Sequence, residues 1–282
     1  MTAAALTTRA CTRRRTLRLR LRKYGAAFRV SLLSQLAYPA ELWLRSVFVV
    51  VIMFIFSSLW HTTFAELGRA TLGGFTLGQM LWYLALTESI LLSRPRDALR
   101  IDEEVRTGQL AYQLARPYNY VLYRFVTASA ERLPRFLITL VIAGAMATAF
   151  SGELSVRPAS LLAGLPVLAL ALAIDYCFVL SISLLAFWVE DASPVLFIYD
   201  RLLMLLGGML LPLSLFPGAL ATVARALPFS TIVYDPASVI VSGDGEAWAL
   251  LVLRQVVTLA VALMLALLFF RYAVRRLQTN GG

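Results

Sequence analysis

The chain is poor in the residues that usually do chemistry. Its 282 residues include one histidine, His61, and two cysteines, Cys11 and Cys177. Of 26 basic residues, only Lys23 is lysine. Each scarcity excludes a class of protein. A phosphate-binding P-loop needs G-x-x-x-x-G-K-[ST], where lysine neutralises the terminal phosphates. Lys23 is followed by Tyr24 and has no glycine-rich approach, so this chain does not hydrolyse nucleotide by that route. A single histidine removes paired-histidine metal sites and most histidine-based triads. The cysteines lie far apart, one in a basic tail and one in an apolar run, and form neither a disulfide framework nor a zinc ribbon. Charged residues make up only 15% of the chain, against about 25% in a typical soluble domain.

Hydrophobic residues are abundant instead. They account for 60% of the sequence, and mean hydropathy is +0.76. A membrane-crossing helix takes about 20 apolar residues, so several fit and little chain remains for a soluble domain. The apolar runs predict an all-α polytopic membrane protein with six spans. They fall near Leu42–Thr62, Gly74–Ser93, Phe125–Phe150, Ala159–Trp188, Val195–Leu215 and Ala247–Tyr272. The second is the weakest, interrupted by Gln79 and Glu88. The third starts among Glu131, Arg132 and Arg135, which invites an internal ion pair, and carries Pro134, a candidate kink.

The net charge of +10 has a side. Basic residues gather in the N-terminal segment (Arg9, Arg13, Arg14, Arg15, Arg18, Arg20, Arg22, Lys23 and Arg29). They gather again between spans two and three (Arg94, Arg96, Arg100, Arg106, Arg116 and Arg124) and in the C-terminal tail (Arg271, Arg275 and Arg276). The other connections hold one each: Arg69, Arg157 and Arg225. The positive-inside rule then predicts that both termini are cytoplasmic. The excess is an orientation signal, not a footprint for nucleic acid. Leu17, Leu21, Tyr24, Phe28, Leu32 and Leu36 form one apolar stripe opposite a basic face. This predicts an amphipathic helix along the anionic inner leaflet. Residues 1–41 thus read as a basic tail with an interfacial helix, 42–272 as the membrane domain and 273–282 as a cytoplasmic tail.

Two segments are more patterned than simple connections. The first, about 95–124, opens on Asp102, Glu103 and Glu104, breaks at Gly108 and ends at Pro117. Ile101, Val105, Leu110 and Leu114 give it an apolar edge, as expected of a short helix parallel to the membrane. The second, about 212–246, contains Pro212, Pro217, Pro228 and Pro236 among apolar residues including Phe216 and Phe229. Its prolines preclude one continuous span. Its apolarity suits short helices dipping back into the outer leaflet, where non-spanning backbone must pack on protein or line a cavity.

These two blocks resemble the membrane permease of a type-2 ABC exporter, in the daunorubicin-resistance-like group. The first is carried by Val105-Arg106-Thr107-Gly108-Gln109-Leu110, Leu114-Ala115-Arg116-Pro117 and Leu122-Tyr123-Arg124. The second is carried by Pro212-Leu213-Ser214-Leu215-Phe216-Pro217 through Leu227-Pro228-Phe229 to Pro236. The resemblance implies a coupling helix between spans two and three and a re-entrant hairpin before the last span. It further implies export of a substrate through two paired permeases, identical or merely similar, each docked on a separate P-loop ATPase subunit. ATP and Mg would bind that partner, and this chain would need no cofactor or metal. The membrane would be the bacterial inner membrane. Glu103, Glu104, Arg106, Thr107, Gly108, Arg116 and Pro117 would then meet the ATPase, with Leu110 and Leu114 filling a groove.

One acid stands apart. Asp175 lies within span four, where a carboxylate costs about 2.5–3.5 kcal/mol on insertion scales. It either lines a substrate path, pairs with an arginine, or is a protonated or hydrogen-bonded structural group. Glu88, Asp200 and Arg201 lie nearer the inner interface, where snorkelling or pairing would accommodate them. A secondary transporter or a non-transporting scaffold is the alternative reading. The absence of a repeat between the two halves weighs against the former.

Overall fold

The computed structural model describes residues 22–37, 39–95, 97–189, 191–243 and 245–280; they form helices joined by turns, with one isolated bridge between Leu72 and Phe75. The start of the interfacial stripe, Leu17 and Leu21, lies outside the described residues, and 22–36 form helix α1. Four later helices are long and apolar enough to cross a membrane: α2 (Pro39–Leu67), α6 (Tyr120–Ser151), α7 (Pro158–Ser183) and α12 (Gly245–Asn280). They carry the first, third, fourth and sixth expected spans.

The other two expected spans are shorter. Helix α3 (Leu77–Leu92) has 16 residues and α8 (Ser193–Leu206) has 14. At about 1.5 Å per residue they measure about 24 and 21 Å, less than the roughly 30 Å hydrocarbon core. The fifth element therefore ends at Leu206, not at Leu215. The chain turns at Gly207 and Gly208, and Gly208 has φ 74°, a left-handed conformation that glycine adopts without penalty. In α3, Gln79 is not an interruption. Thr76 Oγ1 accepts from Gln79 N–H while Thr76 N–H donates to Gln79 Oε1, so Gln79 completes a capping box that starts the helix.

Two arginines finish α3. Helix C-termini leave carbonyls without intrahelical donors. Arg45 of α2 donates to Leu92 O at 2.9 Å, and Arg132 of α6 donates to Ile90 O at 2.7 Å. Cationic side chains at this end also complement the helix dipole. A short helix can thus end inside the bundle with its backbone satisfied.

Packing is closest between α3 and α6, and α12 lies along α7. Small residues permit the approach. A Cβ on Gly144 of α6 would stand 2.8 Å from the Trp82 ring of α3. Large apolar side chains on the outer faces of α2 and α12, including Trp43, Phe48, Leu250 and Leu253, are exposed and match lipid as solvent. Helices α4 (Asp97–Arg106) and α5 (Gln109–Leu114) join α3 to α6. They rest on a second core in which Ile101 and Leu110 meet Tyr120, Leu180, Leu184, Ala266 and Ala273.

Candidate functional site

The deepest polar feature is a junction of four segments around Asp175 of α7, whose side chain is fully buried. Arg94, just past the end of α3, donates from Nε to Asp175 Oδ2 at 3.0 Å and from Nη2 to Oδ1 at 2.5 Å. Arg132 Nη1 reaches Oδ2 at 2.8 Å, and Tyr199 of α8 donates its hydroxyl to Oδ1 at 2.9 Å. Arg94 also pairs with Asp200 of α8. A carboxylate can accept about four hydrogen bonds, and Asp175 receives four. Bidentate contact with a guanidinium is the strongest form of such pairing. The arginine pairing considered for Asp175 is therefore present, made with two arginines at once.

Two of the charges near the start of the third expected span reach other helices. Glu131 accepts from Arg100 of α4 at 2.6 Å, and Arg132 turns to Asp175. Asp200 is paired, whereas Glu88 does not snorkel. It is 2% exposed, and its Oε1 has no hydrogen-bond partner among the described residues.

The α4–α5 elbow is fastened to the bundle by its inner edge. Glu104 pairs with Arg124 of α6 and accepts from the Tyr120 hydroxyl at 2.9 Å. Asp102 accepts from Ala192 N–H at 3.2 Å, next to the start of α8. There Asp191 accepts from Ser193 N–H at 2.9 Å, and hydrogen bonds from Ser193 hold its exposed carboxyl below the ordinary aspartate range. The elbow turns at Gly108, with φ 72°. On the far side, Lys23 of α1 donates to Pro117 O, and Asn119 N–H donates to the Tyr24 hydroxyl at 3.1 Å.

Residues grouped together in the sequence thus divide by direction. Glu103, Arg106, Thr107, Gly108, Arg116 and Pro117 are exposed. Glu104 and half-buried Leu114 face the bundle, and Leu110 is fully buried in this chain's own core, with no surface left for a groove elsewhere. Tyr112, 78% exposed, joins the outward face and carried no signal in the sequence pattern.

The proline-rich block folds as short helices: α9 (Gly218–Ala226), α10 (Phe229–Ile232) and α11 (Tyr234–Ser242), preceded by a single turn at Leu213–Leu215. Pro212, Pro217 and Pro228 each stand immediately before one of these turns, where a fixed φ and a missing N–H cost least. Phe216 ends the first turn, and Phe229 lies 6.0 Å from the Tyr199 ring. Helix α12 pins the block. Arg254 Nη1 contacts Asp235 at 2.8 Å and its Nη2 donates to Ser230 Oγ at 2.9 Å. Gln255 Nε2 bridges Val167 O of α7 and Thr231 O.

Apolar helices held by internal ion pairs, with a charged elbow outside them, have the build of a multi-pass membrane protein. The chain belongs to the ABC-2 transporter family: residues 47–281 match the family described as ABC-2 family transporter protein. It is accordingly a transmembrane permease, and the match takes in the junction, the elbow and the proline-rich block. No individual curated protein matches the sequence.

Proposed function

We propose that this permease exports a substrate across the bacterial inner membrane as half of a dimeric pore, driven by separate ATPase subunits that bind ATP and Mg. Six crossings, counting the short α3 and α8, leave both termini in the cytoplasm. The elbow then lies on the cytoplasmic side, where Glu103, Arg106, Thr107, Gly108, Tyr112, Arg116 and Pro117 offer an exposed face to the ATPase. The observation that carries the reading is the elbow's inward fastening. A push on the outer face reaches α6 through Glu104–Arg124 and Arg100–Glu131, and reaches the start of α8 through Asp102. The Asp175 junction links those helices to α3 and α7. In this reading Asp175 acts on the path by holding the helices around it. The proline-rich block forms the outer, re-entrant end.

The test is purification of the tagged permease in mild detergent from its native host, followed by disulfide trapping between Gln109→Cys and cysteines on the co-purifying ATPase. A crosslink that responds to ATP supports the assignment. Absence of any ATPase from the complex, with no crosslink from any position between 102 and 116, overturns it.

A further inference from the structure

A cavity of about 760 Å³ opens on the side of the bundle between α6, α7 and α12, beneath the start of α1. Its wall is apolar: Leu122 and Phe125 from α6, Cys177 and Leu180 from α7, Leu259 and Leu263 from α12. Its mouth is polar and is lined by Lys23, Tyr24, Tyr118 and Asn119. Among the described residues, no carboxylate lines it. Lys23 is the chain's only lysine. It is exposed and spends one bond on Pro117 O, and an ammonium has three donors.

We propose that this groove is a binding site for an anionic phospholipid, with the acyl chain along α6, α7 and α12 and the phosphate at Lys23. The apolar wall alone would not choose between lipids, because the surrounding bilayer offers the same contacts. Selection comes from the mouth. A lysine is a flexible point charge that follows a phosphate, and long cationic side chains lay their stems on apolar surface while the head stays at the interface. One interfacial cation is worth about fivefold in preference for anionic lipid. The occupant would sit between α1 and the Pro117–Asn119 turn, where the elbow passes into α6. A bound headgroup would therefore brace the elbow against the interfacial helix. Placement in the inner leaflet rests on the orientation proposed above.

The probe is photoactivatable phosphatidylglycerol, compared with photoactivatable phosphatidylcholine, each at trace level in phosphatidylcholine nanodiscs holding the full chain. Both leaflets then carry the same lipids, so a wrong orientation or a missing ATPase leaves the result intact. Adducts mapped by mass spectrometry should gather on Leu122, Phe125, Leu259 and Leu263, with phosphatidylglycerol favoured about fivefold. Lys23→Gln should bring the two lipids level, and Lys23→Arg should restore the preference. Leu263→Trp should reduce adducts of both. Equal labelling by the two lipids in the unmodified chain overturns the proposal. So does a preference that survives Lys23→Gln, or adducts no denser in the groove than on the outer face of α2. Protein–protein crosslinks in the groove without lipid adducts would assign it to a second copy of the chain and overturn the proposal equally.

Discussion

Arg132 and Asp175 are 43 residues apart in sequence and 2.8 Å apart in the bundle, where Asp175 also holds Arg94 and Tyr199. Removing one member of a buried charge pair costs about 3–5 kcal/mol, because the remaining charge is stranded. Asp175→Asn leaves Arg132 facing a neutral amide and Arg94 with Asp200 alone. We expect a lower thermal midpoint for the detergent-solubilised permease, and a larger fall for Asp175→Ala, which removes both side-chain oxygens of residue 175. An unchanged midpoint for Asp175→Ala would show that the junction does not hold the helices.

The elbow provides a paired comparison. Glu104 is bonded to Arg124 and Tyr120, whereas its neighbour Glu103 is exposed. Glu104→Gln keeps an acceptor for the Tyr120 hydroxyl but loses the charge facing Arg124, at a cost of about 1.5–3 kcal/mol. Amide exchange along α4 and α5 should accelerate. Glu103→Gln should change stability by less than about 0.5 kcal/mol. Equal exchange in the two variants would refute the division of the elbow into inner and outer faces.

At the α3–α6 contact, a Cβ on Gly144 would meet the Trp82 ring at 2.8 Å. Gly144→Ala should destabilise by about 1–3 kcal/mol through overpacking. Shrinking the opposing ring with Trp82→Phe should recover part of the loss. Thermal melting of the two single variants and the double variant measures the coupling; strictly additive losses would mean that the two sites do not touch.

Arg254 joins α12 to the proline-rich block through Asp235 and Ser230. Arg254→Gln should raise amide exchange over 225–235 while leaving α4 and α5 protected. Exchange that rises uniformly across the protein would point to general unfolding instead of local release.

The four strongest apolar runs were legible because length and composition define a membrane helix independently of partners. They became α2, α6, α7 and α12. The boundaries of the weaker elements depended on small local signals. The expected fifth span ran past Gly207 and Gly208, a breaker pair whose weight was hidden by the leucines around it. Gln79 looked like an interruption because its bond to Thr76 is a matter of geometry, not polarity. The charge partners were not legible. Arg94 lies 81 residues before Asp175 and 106 before Asp200, and no periodicity in the sequence connects them. The elbow's position was readable from its acids, Gly108 and Pro117. Its inward side was less so: Leu110 and Leu114 formed an edge, but the commitment of Glu104 to Arg124 appears only in three dimensions.

The Asp175 junction also has an electrical consequence. Two guanidinium groups, on Arg94 and Arg132, face two carboxylates, on Asp175 and Asp200, so the cluster sums to zero. Carrying one net charge across the membrane field involves about 2.3 kcal/mol per 100 mV. A rocking of α3, α6, α7 and α8 that moves this cluster as a unit displaces no net charge. The junction itself would therefore add no coupling to the membrane potential if those helices moved along the membrane normal.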